Sequence, residues 1–417
     1  MSYYKYYAGI TSQVGFCSTP LRLDSYSRCQ FNCAYCFAGT RQGYGRGGKL
    51  RVSNPNSLRH RLLRVRQGKI SSALDEFISN RVPFQLGGMS DPFSKIEENR
   101  NVTLEFLKIL NEFNYPVIIS TKSDLIASKK YLGLLAESNI YVRFSTTVVG
   151  EKLRRTIDRG CPGMSKILDA ASTLSKLGIP VCFRFQPIIP GQEIHGFDLI
   201  SQADSVGVKH ISAEYLKVPI DADRNFSANL KFLFNGEPIA GYKKLGAILR
   251  GHEYILPLHK RKDYLIAFAK KARTKKITFG FADNDLLLHS DGRSCCSASN
   301  LYLKNANFFN SNIVSLAKDK PHGEKIKFEE YLTTWIPKKS ISTYLNSKTR
   351  IKNHTNNRPD WLVYLKGMWK GEQGLYSPDF FDGIERISEK DTNGLPVYKR
   401  IKSEFELEYE TCSSYPR

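Results

Sequence analysis

Three thiols crowd into "SRCQFNCAYCF" (27–37): Cys29, Cys33 and Cys36, in the spacing CxxxCxxC. Thiolates bind soft metals, and a short loop can wrap several of them around one centre. A structural zinc ordinarily takes four ligands. No second CxxC lies at zinc-ribbon spacing here, and Cys17 is a distant candidate for a fourth. A [4Fe–4S] cluster held by three cysteines leaves one iron free to bind a further group. The missing fourth cysteine is therefore a feature of the reading adopted, an iron–sulfur centre with an open position. The competing readings are a zinc site and three core thiols, since positions i, i+4 and i+7 share one face of a helix.

Positioning such a loop requires a scaffold. Short β-rich runs recur at 19–25, 83–88, 116–122, 140–149, 180–189 and 209–216. Between them lie segments of helical period, including 101–113 and 165–178, the latter ending at Gly178 as a candidate C-cap. Strands alternating with helices predict βα units and a parallel sheet. The fold class expected is α/β, a partial (βα)6 barrel. A helix over 263–272 and a strand over 275–283 extend it by one further unit, with a cysteine-containing loop after it. The expected organisation is a barrel core over 1–220, an extension over 221–300 and a C-terminal region over 301–417 with no assigned role.

The bulk numbers bound the function. The 417 residues carry 62 Lys and Arg against 40 Asp and Glu, a net charge of +22. Such an excess favours a polyanionic partner, nucleic acid first. The stretch 41–69 holds nine Lys and Arg and no acid, and "LRHRLLRVR" within it reads as a helix with a positive face, suited to a phosphate backbone. A second basic run spans 259–276. Nine cysteines in a chain of this length argue for metal or redox chemistry over a disulfide framework. "MSYYKYYAGI" lacks an apolar signal region and no apolar run approaches the ~18–20 residues that cross a bilayer, which predicts a cytoplasmic protein without a membrane partner.

CxxxCxxC with the aromatic Tyr35 before its last cysteine, directly after the first strand of a partial barrel, resembles the radical S-adenosylmethionine superfamily. The stretches "GGMSDPFSKIEEN" (87–99), "STKSDLI" (120–126), "RFSTTV" (143–148) and "QPIIPGQE" (186–193) resemble its spore photoproduct lyase and DNA-repair-photolyase-like branch, over about residues 19–220. The resemblance implies a [4Fe–4S] cluster on Cys29, Cys33 and Cys36. It also implies S-adenosyl-L-methionine bound at the free iron, and its reductive cleavage to a 5′-deoxyadenosyl radical. It places Tyr35 near the adenine, Ser90 at the methionine carboxylate or ribose, Lys122 against the carboxylate and Ser145 in hydrogen bonding to the cofactor. Reduced flavodoxin or ferredoxin is the implied electron donor. Where the lyase of that branch carries a donor cysteine and a relay tyrosine, this chain has Gly88 and Phe37. Cys295 and Cys296 are the replacement candidates for hydrogen donation, with Asp283, Asp285, His289 and Asp291 as acid/base candidates in the same stretch. The expected substrate is a nucleic acid or nucleotide, undergoing repair or modification. The rivals are a peptide- or protein-modifying enzyme of the same superfamily and a zinc-containing nucleic-acid-binding protein.

Overall fold

The computed structural model describes residues 3–36, 38, 49–225, 228–234, 236–293, 299–341, 344, 361–372 and 376–410. The first strands in chain order are β1 (Ala8–Ile10), β2 (Leu21–Leu23), β3 (Phe84–Leu86), β4 (Val117–Thr121), β5 (Ile140–Thr146), β6 (Val181–Ile188) and β7 (His210–Tyr215). They are followed by β8 (Val218–Pro219), β9 (Ile248–Arg250), β10 (Glu253–Ile255) and β11 (Thr278–Phe281). One sheet runs β1-β2-β3-β4-β5-β6-β7-β11. Within this sheet every pairing from β2 through β7 to β11 is parallel, and β1 joins antiparallel to β2, while β8, β10 and β9 form a separate antiparallel sheet. The six expected parallel strands are present, and β11 is the further one. β1 and β11 stand at opposite ends of this order, so the sheet is an open, partial barrel.

The helices between strands include α1 (Pro55–Arg66), α2 (Ala73–Ser79), α3 (Ile96–Arg100), α4 (Val102–Glu112), α5 (Lys129–Ala136), α6 (Glu151–Ile157), α7 (Met164–Lys176) and α8 (Ile194–Ser205). Gly178 follows α7 at φ +77, the left-handed conformation that closes a helix and that glycine adopts without steric cost.

Alternation gives the sheet two unlike faces. Leu23, Leu86, Ile119, Val142 and Val181 lie on one face and join the main core beneath the helices. The next residues along, Ser120, Arg143 and Cys182, then Ser145, Arg184 and Ser212, line the inner face. The N-terminal mouth of this interior is closed by residues 302–305. Tyr302 stacks on Tyr141, with rings 5.6 Å apart and inclined by 5°, and its hydroxyl donates to the Lys209 carbonyl at 3.0 Å. The Lys304 amide donates to Asn139 Oδ1 at 3.2 Å, and Arg81 Nε donates to the Asn305 carbonyl at 2.8 Å. The interior is therefore plugged below and opens at the C-terminal ends of the strands, where barrel active sites are built.

Described residues from 309 onward pack onto the same core. Phe309 lies against Phe77 with centroids 4.9 Å apart, Phe381 against Phe16 at 5.8 Å and Phe405 against Phe281 at 5.3 Å. A small antiparallel sheet completes this region: β12 (Lys325–Ile326), β13 (Ile384–Lys390) and β14 (Pro396–Arg400), in the order β12-β14-β13.

Gly87 turns the chain from β3 towards the open mouth. Its φ is +91, and a Cβ there would stand 2.4 Å from the backbone oxygen of Ser120. Gly87→Ala is expected to cost about 2–5 kcal/mol, from backbone strain and overpacking together. Urea unfolding checks this, and a cost under about 1 kcal/mol would mean that the turn relaxes freely.

Candidate functional site

The loops after β2, β3, β4 and β5 bring the elements of the site to the open mouth. The first leaves β2 at Leu23 and carries all three motif cysteines. It is held at its base by return pairing with the chain that follows. Ser27 N donates to the Arg51 carbonyl at 3.0 Å and Ser53 N to the Ser25 carbonyl at 2.9 Å. Backbone amides of Phe31 and Asp91 point at Cys29 Sγ, Phe31 at 3.5 Å. Burial and then the nearby Asp91 carboxylate push the Cys29 thiol up to about 12.

Cys33 has the opposite environment. Cys161 Sγ lies 3.9 Å from Cys33 Sγ, and this contact, opposed by burial and helped by Lys122, holds the Cys33 thiol below its ordinary value. Cys161 and Asp158 belong to the loop after α6. The ligand atoms of Cys33, Asp158 and Cys161 all lie within 4.8 Å of one another. Cys36 is exposed, and Cys29 and Cys33 are half-buried.

Asp158 is the hub. It is 1% exposed. Lys122 Nζ donates to its Oδ1 at 3.1 Å, and Arg154 reaches Oδ2 at 3.5 Å. Thr147 N donates to Oδ2 at 3.3 Å, and the Tyr35 hydroxyl donates to Oδ1. Burial opposes the charge on this carboxyl, yet Lys122 and Arg154 outweigh it and hold Asp158 below the usual carboxylate range. Lys122 is correspondingly raised: burial disfavours its charge and Asp158, then Cys33, favour it more strongly. Burial followed by the Asp158 charge pushes the Tyr35 phenol upward, so it stays protonated and acts as a donor.

The residues singled out from the sequence thus part company, with Cys29 and Cys36 on the loop itself and outside the Asp158 cluster. Cys33, Tyr35 and Lys122 meet at Asp158, and Lys122 Nζ also donates to the Ser145 carbonyl at 3.1 Å. Ser90 is buried beside the cysteine loop, its hydroxyl donating to the Tyr26 carbonyl at 2.6 Å. Cys295, Cys296 and Phe37 lie outside the described residues. Of the acid/base candidates, Asp283 and Asp285 bind Arg261 at 3.2 Å and 2.5 Å. His289 bonds Asp382 at 2.7 Å, and Asp291 accepts from Phe279 N at 2.8 Å. These groups tie β11 to its surroundings.

The basic stretch 41–69 is described only from residue 49. The expected helix is there as α1, but three of its four arginines are matched by acids, and the fourth, Arg66, lies over the Phe113 ring. Arg61 and Arg64 both bind the buried Asp75, and Arg59 binds Glu112. In the second basic run Lys262 pairs with Glu404 and Glu408, and Lys275 with Asp204. A linear count of charge overstates what these segments offer to a phosphate backbone.

Asp158, Arg154, Thr147 and Cys161 were not found from the sequence. The available signal was an Arg and an Asp four apart, Arg154 and Asp158, at the end of a helix and followed by "RGCPG".

No protein-family model matches the chain, and no curated protein matches it. Among solved structures the chain is similar to a mutant spore photoproduct lyase with bound AdoMet and dinucleoside spore photoproduct. That match has 16% identity and a TM-score of 0.46, covering 64% of this chain and 77% of that one. It is also similar to Streptococcus suis SuiB bound to S-adenosylmethionine, at 15% identity and a TM-score of 0.34, covering 49% of this chain and 42% of that one. Shape similarity at these values does not transfer chemistry, so the function is argued from the side chains. Among the described residues no helix is long and apolar enough to cross a membrane.

Proposed function

We propose that this chain is a radical S-adenosylmethionine enzyme. Cys29, Cys33 and Cys36 would hold a [4Fe–4S] cluster with one iron left open, and the substrate is a nucleic acid or nucleotide that is repaired or modified. The observation that carries the reading is the meeting of a three-thiol loop with Tyr35, Lys122 and Asp158 at the open end of a parallel sheet. The donor set fits the cluster: soft thiols, amides aimed at Cys29 Sγ, and a buried cation beside Cys33. The bound cluster would supply the electron that cleaves S-adenosyl-L-methionine to methionine and a 5′-deoxyadenosyl radical.

The chain's own residues bind and orient. Asp158 fixes Lys122 and Tyr35, and the Lys122 ammonium favours a thiolate at Cys33. Lys122 and Ser145, tied to each other by the bond from Nζ to the Ser145 carbonyl, would hold the cofactor's methionine part. The Ser90 hydroxyl spends its proton on Tyr26 and keeps its oxygen lone pairs to accept from an amino or ribose group. Tyr35 would set one side of the adenine site. A hydrogen donor from Cys295 or Cys296, a flavodoxin or ferredoxin as reductant, a nucleic-acid contact through 41–69 and a cytoplasmic setting complete the proposal.

Anaerobic reconstitution with iron and sulfide, followed by reduction with S-adenosyl-L-methionine and chromatography for 5′-deoxyadenosine, tests it. The wild type is expected to take up iron and sulfide and give the product. Cys33→Ala is expected to lose the product by at least about 100-fold, an electron-transfer centre being lost rather than weakened. Zinc without iron or sulfide, and no product, would overturn the reading in favour of structural zinc.

A further inference from the structure

Cys161 belongs to neither the motif nor the set of cofactor residues, yet its sulfur is 3.9 Å from that of Cys33. The two loops are held together by backbone. Ala34 N donates to the Ile157 carbonyl at 2.9 Å across them, and within the second loop Cys161 N donates to the Asp158 carbonyl at 3.1 Å. Gly160, at φ +66, lets the chain pass so close to Phe31 that a Cβ would meet the Phe31 oxygen at 3.2 Å. Arg154 Nε secures the far side of the loop at the Pro162 carbonyl, 2.9 Å away. The position of the Cys161 sulfur is thus built, not incidental.

Resting on the cluster reading above, we propose that the Cys161 thiol donates an S–H···S hydrogen bond to the Cys33 thiolate and thereby raises the reduction potential of the centre that Cys33 helps to hold. When Cys33 binds iron it has no proton, which leaves Cys161 as the donor of the pair. A donor at a ligating sulfur offsets the negative charge that reduction adds, so it favours the reduced state. A separation of 3.9 Å also suits two thiolates on one tetrahedral ion. Against that use, both oxygens of the third group, Asp158, are already committed to Lys122, Tyr35, Arg154 and Thr147. On its other side Cys161 borders a groove of about 660 Å³ between α6, α7 and α8. This open side leaves room for serine or valine in its place.

The test compares wild type, Cys161→Ser and Cys161→Ala, each reconstituted anaerobically, by iron and sulfide content and by the midpoint potential from a redox titration followed by electron paramagnetic resonance. Full iron and sulfide are expected in all three. The potential is expected to move negative in Cys161→Ala and to return towards the wild-type value in Cys161→Ser, whose hydroxyl still donates. Cys161→Val measures the same loss should alanine disturb the loop. An unchanged potential in the variants without a donor would overturn the proposal. Loss of iron from Cys161→Ala would overturn it too, by making Cys161 a ligand. A wild type that takes up no iron or sulfide would overturn the cluster reading itself, and metal analysis alone distinguishes that failure from the other two.

Discussion

Asp158→Ala is expected to destabilise the fold by about 3–5 kcal/mol, the cost of removing one partner from a buried ion pair and leaving the other unmatched. Lys122 and Arg154 both lose their carboxylate, and the Arg154 side chain is only 2% exposed. Tyr35 and the Thr147 amide lose an acceptor at the same time. Asp158→Asn keeps an acceptor for Tyr35 but not the charge, so its cost is expected to be intermediate. Urea unfolding followed by circular dichroism measures both, and a loss below about 1 kcal/mol for the alanine variant would mean that Lys122 and Arg154 find water or other partners at little cost. The pH dependence has a definite sign. Folding holds the Asp158 carboxyl below its ordinary value, so its contribution is fully present above the unfolded pKa of about 4 and is lost as pH falls through the folded value. The wild-type advantage over Asp158→Ala should therefore shrink on acidification below about pH 4.

The geometry explains which parts of the molecule were legible beforehand. Strand β6 is an apolar run broken by Arg184 and Gln186, and helix α7 shows its buried face as Met164, Ile167, Ala170, Ala171 and Leu174. Both patterns are local, set by the period of one element against one core. The cysteine motif is local as well. Strand β1, Ala8–Ile10, has glycine at its centre and no alternation of apolar and polar residues, so nothing local marks it before it pairs antiparallel with β2. Residues 302–305 close the barrel by contacts with Arg81, Asn139, Tyr141 and Lys209, all distant in sequence and coming from several different loops and strands. The hub Asp158 is an ordinary acid in an ordinary loop until folding places it beside Tyr35, 123 positions earlier. Cys161 meets Cys33 across 128 positions. Charge was legible as a total but not as a surface, because Asp75 and Glu112 reach Arg61, Arg64 and Arg59 from other helices.

A chain ending at residue 307 is expected not to fold cooperatively, although it retains every strand of the large sheet and the segment that closes its lower mouth. Its core would lack the aromatic cover that the later segments supply. Phe16 would lose Tyr376 and Phe381. Phe77 would lose Phe309 and Trp335, at 4.9 Å and 5.0 Å, and Phe281 would lose Phe405 and Tyr409. Uncovering Phe16, Phe77 and Phe281 costs roughly 5–9 kcal/mol at ~1.5–3 kcal/mol for each side chain. That is comparable with the whole stability of a typical domain, about 5–15 kcal/mol. Backbone ties are lost as well, since Phe309 N donates to the Ser18 carbonyl at 2.9 Å and Ile313 N to the Gly15 carbonyl at 3.1 Å. Gly15 and Ser18 lie in the chain between β1 and β2, immediately before the strand that launches the cysteine loop. Loosening there reaches the site through β2 itself. The measurement is the thermal unfolding and size-exclusion profile of residues 1–307 beside the full chain. Aggregation or a broad, non-cooperative transition is expected. A soluble monomer with a sharp transition would show that the barrel carries its own core and that the later segments serve something other than its stability.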